Sequence, residues 1–273
     1  ACFALFLFYE TRARHPMLDL GLFKIRNFSV ANLTTLATYA GLIGGLFFVG
    51  LYLQQVAGYT PLQAGLATTP ISLLLFFLSP RFGRFASGTG PRLPMTAGPI
   101  VGGLGLLLML RVGTSADYPT EVLPAIFVFG LGLAATVAPL TASVLDAVQE
   151  RRVGIASGVN NGGTEVAGLL AIAVLGAVIS AHFGARLDSE LGGRPLGPAA
   201  AHSVSKAKEQ PLAVPKTGQL AAPEAARVRS ASTSASTSAF HLGVLIAALL
   251  MIAGGVTSGF GIQDPRRVRS RVA

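Results

Sequence analysis

The chain has 273 residues, with 21 Lys and Arg against 12 Asp and Glu and a net charge of +9. Charged residues make up 12 % of it and hydrophobic residues 51 %, whereas a soluble domain carries about 25 % charge to cover its surface. A soluble enzyme, a disordered chain and a nucleic-acid binder are therefore excluded as starting points, and a polytopic helical membrane protein remains.

Residues 1–9 (ACFALFLFY) are apolar but too short to span a bilayer, and no basic segment precedes them as in a signal peptide. They read as the tail of a truncated transmembrane helix, which would make the chain the C-terminal part of something larger. Residues 10–27 form a basic connection. From Asn27 to Pro80 there is no Asp, Glu, Lys, Arg or His, a run broken only by Gly58-Tyr59-Thr60-Pro61. Two spans follow, 28–56 and 61–78, the first long enough to tilt and the second containing Pro70, which favours a kink. Further spans are expected at 93–110, 122–145 and 153–179, so that 28–183 holds five transmembrane helices. Residues 184–238 are rich in Pro, Ala, Ser, Lys and Glu and end in ASTSASTSA, which reads as a long, mostly disordered low-complexity loop. The last span is 239–262, and 263–273 is a basic tail.

Lys and Arg in the short connections set the orientation. Arg12, Arg14, Lys24 and Arg26 precede the first full span. Arg81, Arg84 and Arg92 lie between the second and third, Arg151 and Arg152 between the fourth and fifth, and Arg266, Arg267, Arg269 and Arg271 follow the last. With six alternating spans all of these fall on one side, and the opposite short connections hold only Arg111. The basic side, with the C-terminus, is expected to be cytoplasmic, and the 184–238 loop extracytoplasmic. Topology accounts for most of the net charge, so no nucleic-acid partner is expected. The expected location is the cell (plasma or inner) membrane.

The connection after the second span reads Arg81-Phe-Gly83-Arg84-Phe-Ala-Ser-Gly88-Thr-Gly90-Pro91-Arg92. Its glycines allow a tight turn, and its arginines hold the turn on the basic side. It resembles the second-half copy of the signature loop of the major facilitator superfamily, which links the second and third helices of each six-helix repeat. The entry Pro16-Met-Leu-Asp19 through Leu22-Phe23-Lys24-Ile-Arg26-Asn-Phe28 is similar to that of the C-terminal bundle of the fourteen-span drug:proton antiporters (the EmrB/QacA group). So are the stretches Leu51-Tyr52-Leu53-Gln54-Gln55 with Gly58-Tyr59-Thr-Pro61-Leu-Gln-Ala-Gly65, and Gly154-Ile-Ala-Ser157-Gly158-Val-Asn160-Asn161. Gly98-Pro99-Ile-Val-Gly102-Gly103 looks like the superfamily's glycine-rich antiporter motif. That motif belongs to a fifth helix, however, so here it reads as a small-residue face for close helix contact.

The resemblance implies an all-α membrane protein, the C-terminal six-helix bundle of a facilitator-type transporter plus a partial preceding helix. The implied activity is proton-coupled export of hydrophobic or cationic small molecules. Its partners would be the lipid bilayer, that substrate, protons and an N-terminal half absent from this chain. A specific metabolite transporter of the same fold and a non-transporting membrane fragment are the alternatives. Gly83, Arg84, Gly90 and Arg92 would form the conformational signature loop.

Glu165 is the only carboxylate well inside a predicted span. Twelve residues from Val153 is about 18 Å of helix in a core of roughly 30 Å, near its middle. An ionised group there is costly, so it must face protein or a wet cavity, or be protonated. Gly154, Gly158, Asn161, Glu165, Gly168 and Gly176 share one small, polar side of that helix. Proton coupling, substrate contact and a neutral interhelical hydrogen bond are all open for Glu165. Asn32, Thr35 and Tyr39 share a face of the first span and, with Asn161, are candidates to line a substrate cavity; polar glue between helices is the alternative. Thr136, Pro139, Thr68 and Thr69 are weaker candidates. Asp146 and His241 read as interfacial, with His241 able to titrate near neutral pH.

One cysteine and four scattered histidines leave no metal-ligand spacing. No phosphate-binding loop, Ser/His/Asp arrangement or HExxH pattern occurs. No metal, no cofactor and no catalytic residue is expected.

Overall fold

Thr60 opens the second helix, and its neighbourhood illustrates how local chemistry cuts a long apolar run in two. The Gln63 amide donates to the Thr60 hydroxyl at 3.2 Å and the Thr60 amide to Gln63 Oε1 at 2.9 Å, with Pro61 in the first turn. This reciprocal cap satisfies two of the amides left open at a helix start. Gly58 turns the chain just before it at φ +75°, a conformation that suits glycine.

The computed structural model describes residues 20–192, 196–208, 212–215, 218 and 220–264. Its helices are α1 (Arg26–Gln55), α2 (Pro61–Thr89), α3 (Arg92–Leu108), α4 (Leu123–Asp146), α5 (Val153–Leu191), α6 (Pro198–Lys208) and α7 (Ala222–Gly261). A 3₁₀ turn (Met109–Arg111) extends α3, and a π turn (Tyr118–Val122) leads into α4. Among the described residues there is no strand, and six helices are long and apolar enough to cross a membrane. The fold is an all-α membrane bundle. The truncated helix read at 1–9 and the basic tail after Asp264 lie outside the described residues, as do Arg12, Arg14 and the last four arginines.

The helices pack in the spatial order α2, α4, α3, α7, α1, α5, with α5 returning to touch α7. Helix association in lipid depends on close packing, because lipid is as apolar as the side chains. Glycines therefore sit at the crossings. A Cβ on Gly102 or Gly132 would collide with the facing helix, at 2.6 Å from Met251 Cε for the first and 2.1 Å from the Gly102 nitrogen for the second. Gly41 and Gly254 do the same work between α1 and α7, and Gly44 between α1 and α5. The glycine-rich stretch of α3 is thus a contact face, packed by α4 on one side and α7 on the other.

Two apolar clusters fill the interior. The larger runs from mid-bundle to the end carrying Tyr59 and Tyr118; the smaller gathers Leu22, Phe28, Met95, Leu140, Val144 and Ile262 at the basic end. The basic end is tied across the bundle. Arg26 donates from Nε to the Gly261 carbonyl at 2.9 Å, Arg92 from Nε to the Gly259 carbonyl at 2.7 Å, and the Arg92 amide to Asp264 Oδ1 at 3.1 Å.

Two elements differ from the sequence reading. The second helix does not stop near residue 78 but continues through Pro80 to Thr89, leaving Gly90 (φ +103°) and Pro91 as the turn. The 81–92 connection is therefore mostly helix: Gly83 and Gly88 lower helix propensity by only about 1 kcal/mol each, and the helix runs on until Gly90 turns the chain. The second difference is the 184–238 segment read as a disordered loop. Helix α5 runs on to Leu191, α6 occupies Pro198–Lys208, and α7 already begins at Ala222. At 39 and 40 residues, α5 and α7 are about 60 Å long, twice the ~30 Å hydrocarbon core. Their far halves, beyond the length that one core thickness takes up, pair as an antiparallel hairpin. The four-residue repeat places Ala231, Ser232, Ala235, Ser236 and Ala239 on one buried face, against the α5 side bearing Ile179, Phe183, Leu187 and Leu191. Small residues face large ones, and no glycine interrupts α7 before Gly243. Arg227 donates to the Leu191 carbonyl and Ser234 to Glu190, 3.0 Å away.

Candidate functional site

The structure divides the predicted cavity residues into two sets. Asn32 and Thr35 are buried within the bundle. Asn32 turns back on its own helix, donating from Nδ2 to the Phe28 carbonyl at 2.9 Å. Thr35 donates to Asn160 Oδ1 at 2.9 Å, joining α1 to α5. Tyr39 is half-buried, packed beside the smaller cluster. Asn161 and Glu165, in contrast, are exposed on the bundle's open side.

The buried partner of Thr35 is thus Asn160, which the sequence reading passed over for its neighbour. The signal was present: Ala156, Asn160, Ala167 and Ala171 recur at helical spacing and form the buried stripe of α5. The side shared by Gly154, Gly158, Asn161, Glu165, Gly168 and Gly176 is itself split. Gly168 receives Ile43 and Gly176 approaches Phe48, both from α1, whereas a Cβ on Gly154 or Gly158 would meet nothing within 4 Å. The half of this side nearer the basic end, with Glu165, is left open.

Helix α2 is also widely exposed. Only 17 % of the apolar window of α2 and 33 % of that of α5 is buried, against 61 % for α4. Large apolar side chains stand out from both, including Leu62, Phe76 and Leu169, which are 72 %, 75 % and 69 % exposed.

Thr136 is buried and donates to the Gly132 carbonyl at 2.7 Å, and Pro139 is buried beside it. Thr68 and Thr69 bond the Gly65 carbonyl within α2. Of the signature residues, Gly83 lies in α2 facing Ala138, Arg84 is exposed, and Gly90 and Arg92 form the turn and its tie to α7. Asp146 lines a cavity of about 330 Å³ beside that turn, with Gly83, Ser87, Gly90 and Ser143.

The opposite end holds a second polar network. Tyr52 is fully buried and stacks on Phe240 with ring centroids 4.1 Å apart; its hydroxyl lies 3.1 Å from the Gly113 carbonyl and 3.0 Å from the Thr237 hydroxyl. His241 Nε2 is 3.0 Å from the Val112 carbonyl, and His182 Nε2 is 3.0 Å from the Ser238 hydroxyl. Both histidines therefore fasten α7, one to the α3–α4 connection and one to α5.

Among the described residues, six apolar helices crossing at small residues, a Gly-Pro-Arg turn at the basic end, and polar groups carried inside the helices define a polytopic helical membrane bundle. Residues 13–188 match the Major Facilitator Superfamily model, and the chain belongs to that superfamily as a multi-pass membrane protein. It is 32 % identical over 188 residues to the multidrug resistance protein Stp of Mycobacterium tuberculosis, covering 69 % of this chain and 35 % of that protein. It is 28 % identical to the multidrug efflux pump LfrA of Mycolicibacterium smegmatis, over 95 % of this chain and 50 % of that one. It is 29 % identical to the tetracenomycin C resistance and export protein of Streptomyces glaucescens, over 93 % of this chain and 48 % of its length. The chain spans about half or less of the length of these curated relatives.

Proposed function

We propose that this chain is the C-terminal bundle of a proton-coupled exporter of hydrophobic or cationic small molecules, sited in the cell (plasma or inner) membrane with its basic end cytoplasmic. The observation that carries the reading is the open face of α2 and α5 with Glu165 on it. A carboxylate about 18 Å along a spanning helix costs at least ~2.5 kcal/mol if it faces lipid. A second bundle across a water-filled cavity removes that cost, and secondary transporters place their sites at such a repeat interface. The names of the relatives support drugs and antibiotics as the substrate class.

The chemistry needs no covalent step. Proton binding from the outer side neutralises Glu165 and favours one arrangement, while the guest binds at other groups of the cavity and favours the other. Each ligand favours one of two arrangements of the bundles, and the reciprocity of their effects is the coupling. Thr35 and Asn160 hold α5 against α1, so the Glu165 segment moves with the bundle rather than independently.

The test is pH-gradient-driven efflux of a fluorescent lipophilic cation from everted vesicles carrying the full-length protein, wild type beside Glu165→Gln. The expected result is loss of efflux with unchanged expression and retained substrate binding. Undiminished efflux in the variant would remove Glu165 from the coupling mechanism.

A further inference from the structure

At the end opposite the basic clusters, the α1–α2 turn meets the α3–α4 connection. Between them lies an open-sided cavity of about 360 Å³, lined by Tyr59, Gln63, Leu66, Ala67 and Tyr118. That volume is within the ~300–1,000 Å³ of small-molecule sites. Both tyrosine rings are held in place. The Tyr59 hydroxyl donates to the Ala116 carbonyl at 2.7 Å, and the Tyr118 hydroxyl lies 3.4 Å from the Ala67 carbonyl. The Gln63 amide donates to the Thr60 hydroxyl and Pro61 sits in the first turn, which fixes the backbone beneath Gln63 independently of its side chain.

Two carboxylates flank these rings. Asp117 is the residue before Tyr118 and accepts from the Thr120 amide at 3.3 Å; Glu121 accepts from the Gly113 amide at 3.0 Å. Burial first, then Asp117, Tyr118 and Glu121, push the Tyr59 phenol above its ordinary pKa of 10.0. No Lys or Arg lines the cavity. Arg111 is the one basic residue in the connection that holds both acids.

We infer that this cavity is a separate binding subsite for a monovalent lipophilic cation, in which the Tyr59 and Tyr118 rings supply cation–π contact, Leu66 and Ala67 an apolar wall, and Asp117 and Glu121 the attracting field. Rigid aromatic rings beside an apolar wall, with Asp117 next in the chain to Tyr118 and no ammonium or guanidinium in the lining, select a large, weakly hydrated cation over an anion or a sugar. The cavity borders the first turns of α2, the helix with the least covered face. A guest there is next to the face assigned above to the second bundle, at the end assigned to the outside. It is a staging position beyond the Glu165 level. The choice of a cation rests on the exporter reading as well as on the rings and carboxylates.

The test uses the full-length protein in lipid nanodiscs, with Cys2 and any other native cysteine replaced by serine and a single Gln63→Cys introduced. The rate of maleimide labelling at that position is measured against tetraphenylphosphonium and against its neutral relative triphenylphosphine oxide. Gln54→Cys, at the same end but outside the cavity, is the control for global change. Tetraphenylphosphonium is expected to slow labelling of Gln63→Cys saturably and to leave Gln54→Cys unaffected, with the neutral compound needing at least tenfold more. Replacing both tyrosines with Ala should raise the half-protecting concentration about tenfold or more, the scale of two partly desolvated cation–π contacts. Replacing both with Phe should hold it within about twofold, which separates ring loss from misfolding. Asp117→Asn should weaken protection for the cation alone. Absence of protection, equal protection by the neutral compound, equal slowing at Gln54→Cys, or an Ala pair that protects as well as wild type would overturn the subsite. Protection without efflux would keep the subsite and sink the exporter; efflux without protection would do the reverse.

Discussion

Gly132→Ala is the most direct test of the packing that holds the spans together. The added Cβ would lie 2.1 Å from the Gly102 nitrogen, 2.5 Å from its Cα and 2.7 Å from the Gly98 carbonyl oxygen. All three are backbone atoms of α3, so no rotamer change relieves the contact, and α3 and α4 must separate by more than an ångström. Overpacking of this kind costs ~1–3 kcal/mol, and a rigid backbone partner places this site at the upper end. Alanine gains about 1 kcal/mol over glycine in helix propensity, so the net loss is about 2 kcal/mol. Gly50→Ala, also in a span but with nothing within 4 Å of its Cβ, keeps the propensity gain without the collision. The two variants should therefore differ by about 3 kcal/mol in opposite directions. Heat challenge of the detergent-solubilised full-length protein, followed by size-exclusion chromatography, reads this as a lower midpoint for Gly132→Ala and an equal or higher one for Gly50→Ala. Gly105→Ala, whose Cβ would meet the Phe129 nitrogen at 2.3 Å, should behave like Gly132→Ala. The reasoning is refuted if Gly132→Ala melts at or above wild type, or if Gly50→Ala falls as far.

Three further outcomes follow from contacts described above. Asp264→Ala removes the acceptor of the Arg92 amide, worth about 1 kcal/mol as a helix cap; hydrogen exchange should quicken in the first turn of α3 and stay unchanged in α4, and equal protection in both would contradict the tie. A cycle of Thr35→Val and Asn160→Ala should show a coupling of about 0.6–1.7 kcal/mol, the range for hydrogen bonds between spans; strictly additive effects on unfolding would show that the bond does not hold α5 to α1. The Tyr59 phenol titrates above 10.0 because burial, then Asp117, Tyr118 and Glu121, oppose its ionisation. The folded state therefore keeps this proton longer than the unfolded chain. Its contribution is complete below pH 10 and is lost as pH rises through the raised value. Tyr59→Phe should blunt the alkaline loss of stability, and an unchanged alkaline profile would contradict the shift.

Much of the membrane architecture was legible in order. The uncharged run from Asn27 to Pro80, its break at Gly58–Pro61, and the alternation of basic connections report the solvent each segment meets, and that is a property of residues taken singly. The glycines of α3 were readable as a contact face for the same reason: a missing side chain is visible before its partner is known. The site was legible in part. Glu165 stood out as a carboxylate inside a span, but the choice of Asn161 over Asn160 depended on which side of α5 meets α1. A 3.6-residue period narrows that choice without naming the partner.

The hairpin of α5 and α7 is the clearest case of what composition conceals. ASTSASTSA has the polarity of a linker, and only its partner makes it a helix, because Phe183, Leu187 and Leu191 need a flat, small-residue surface to bury them. By itself the sequence determined that this is a multi-pass membrane chain, where the six long apolar helices among its described residues lie, and which of their ends are basic, since hydropathy and charge act locally. Tertiary structure alone decided which glycines are crossed, which asparagine is buried, that α2 and α5 stay largely exposed with Glu165 on the exposed side of α5, and that two tyrosines from separate connections wall one cavity. Those are relations between segments far apart in the chain, and close packing sets them only when the helices meet.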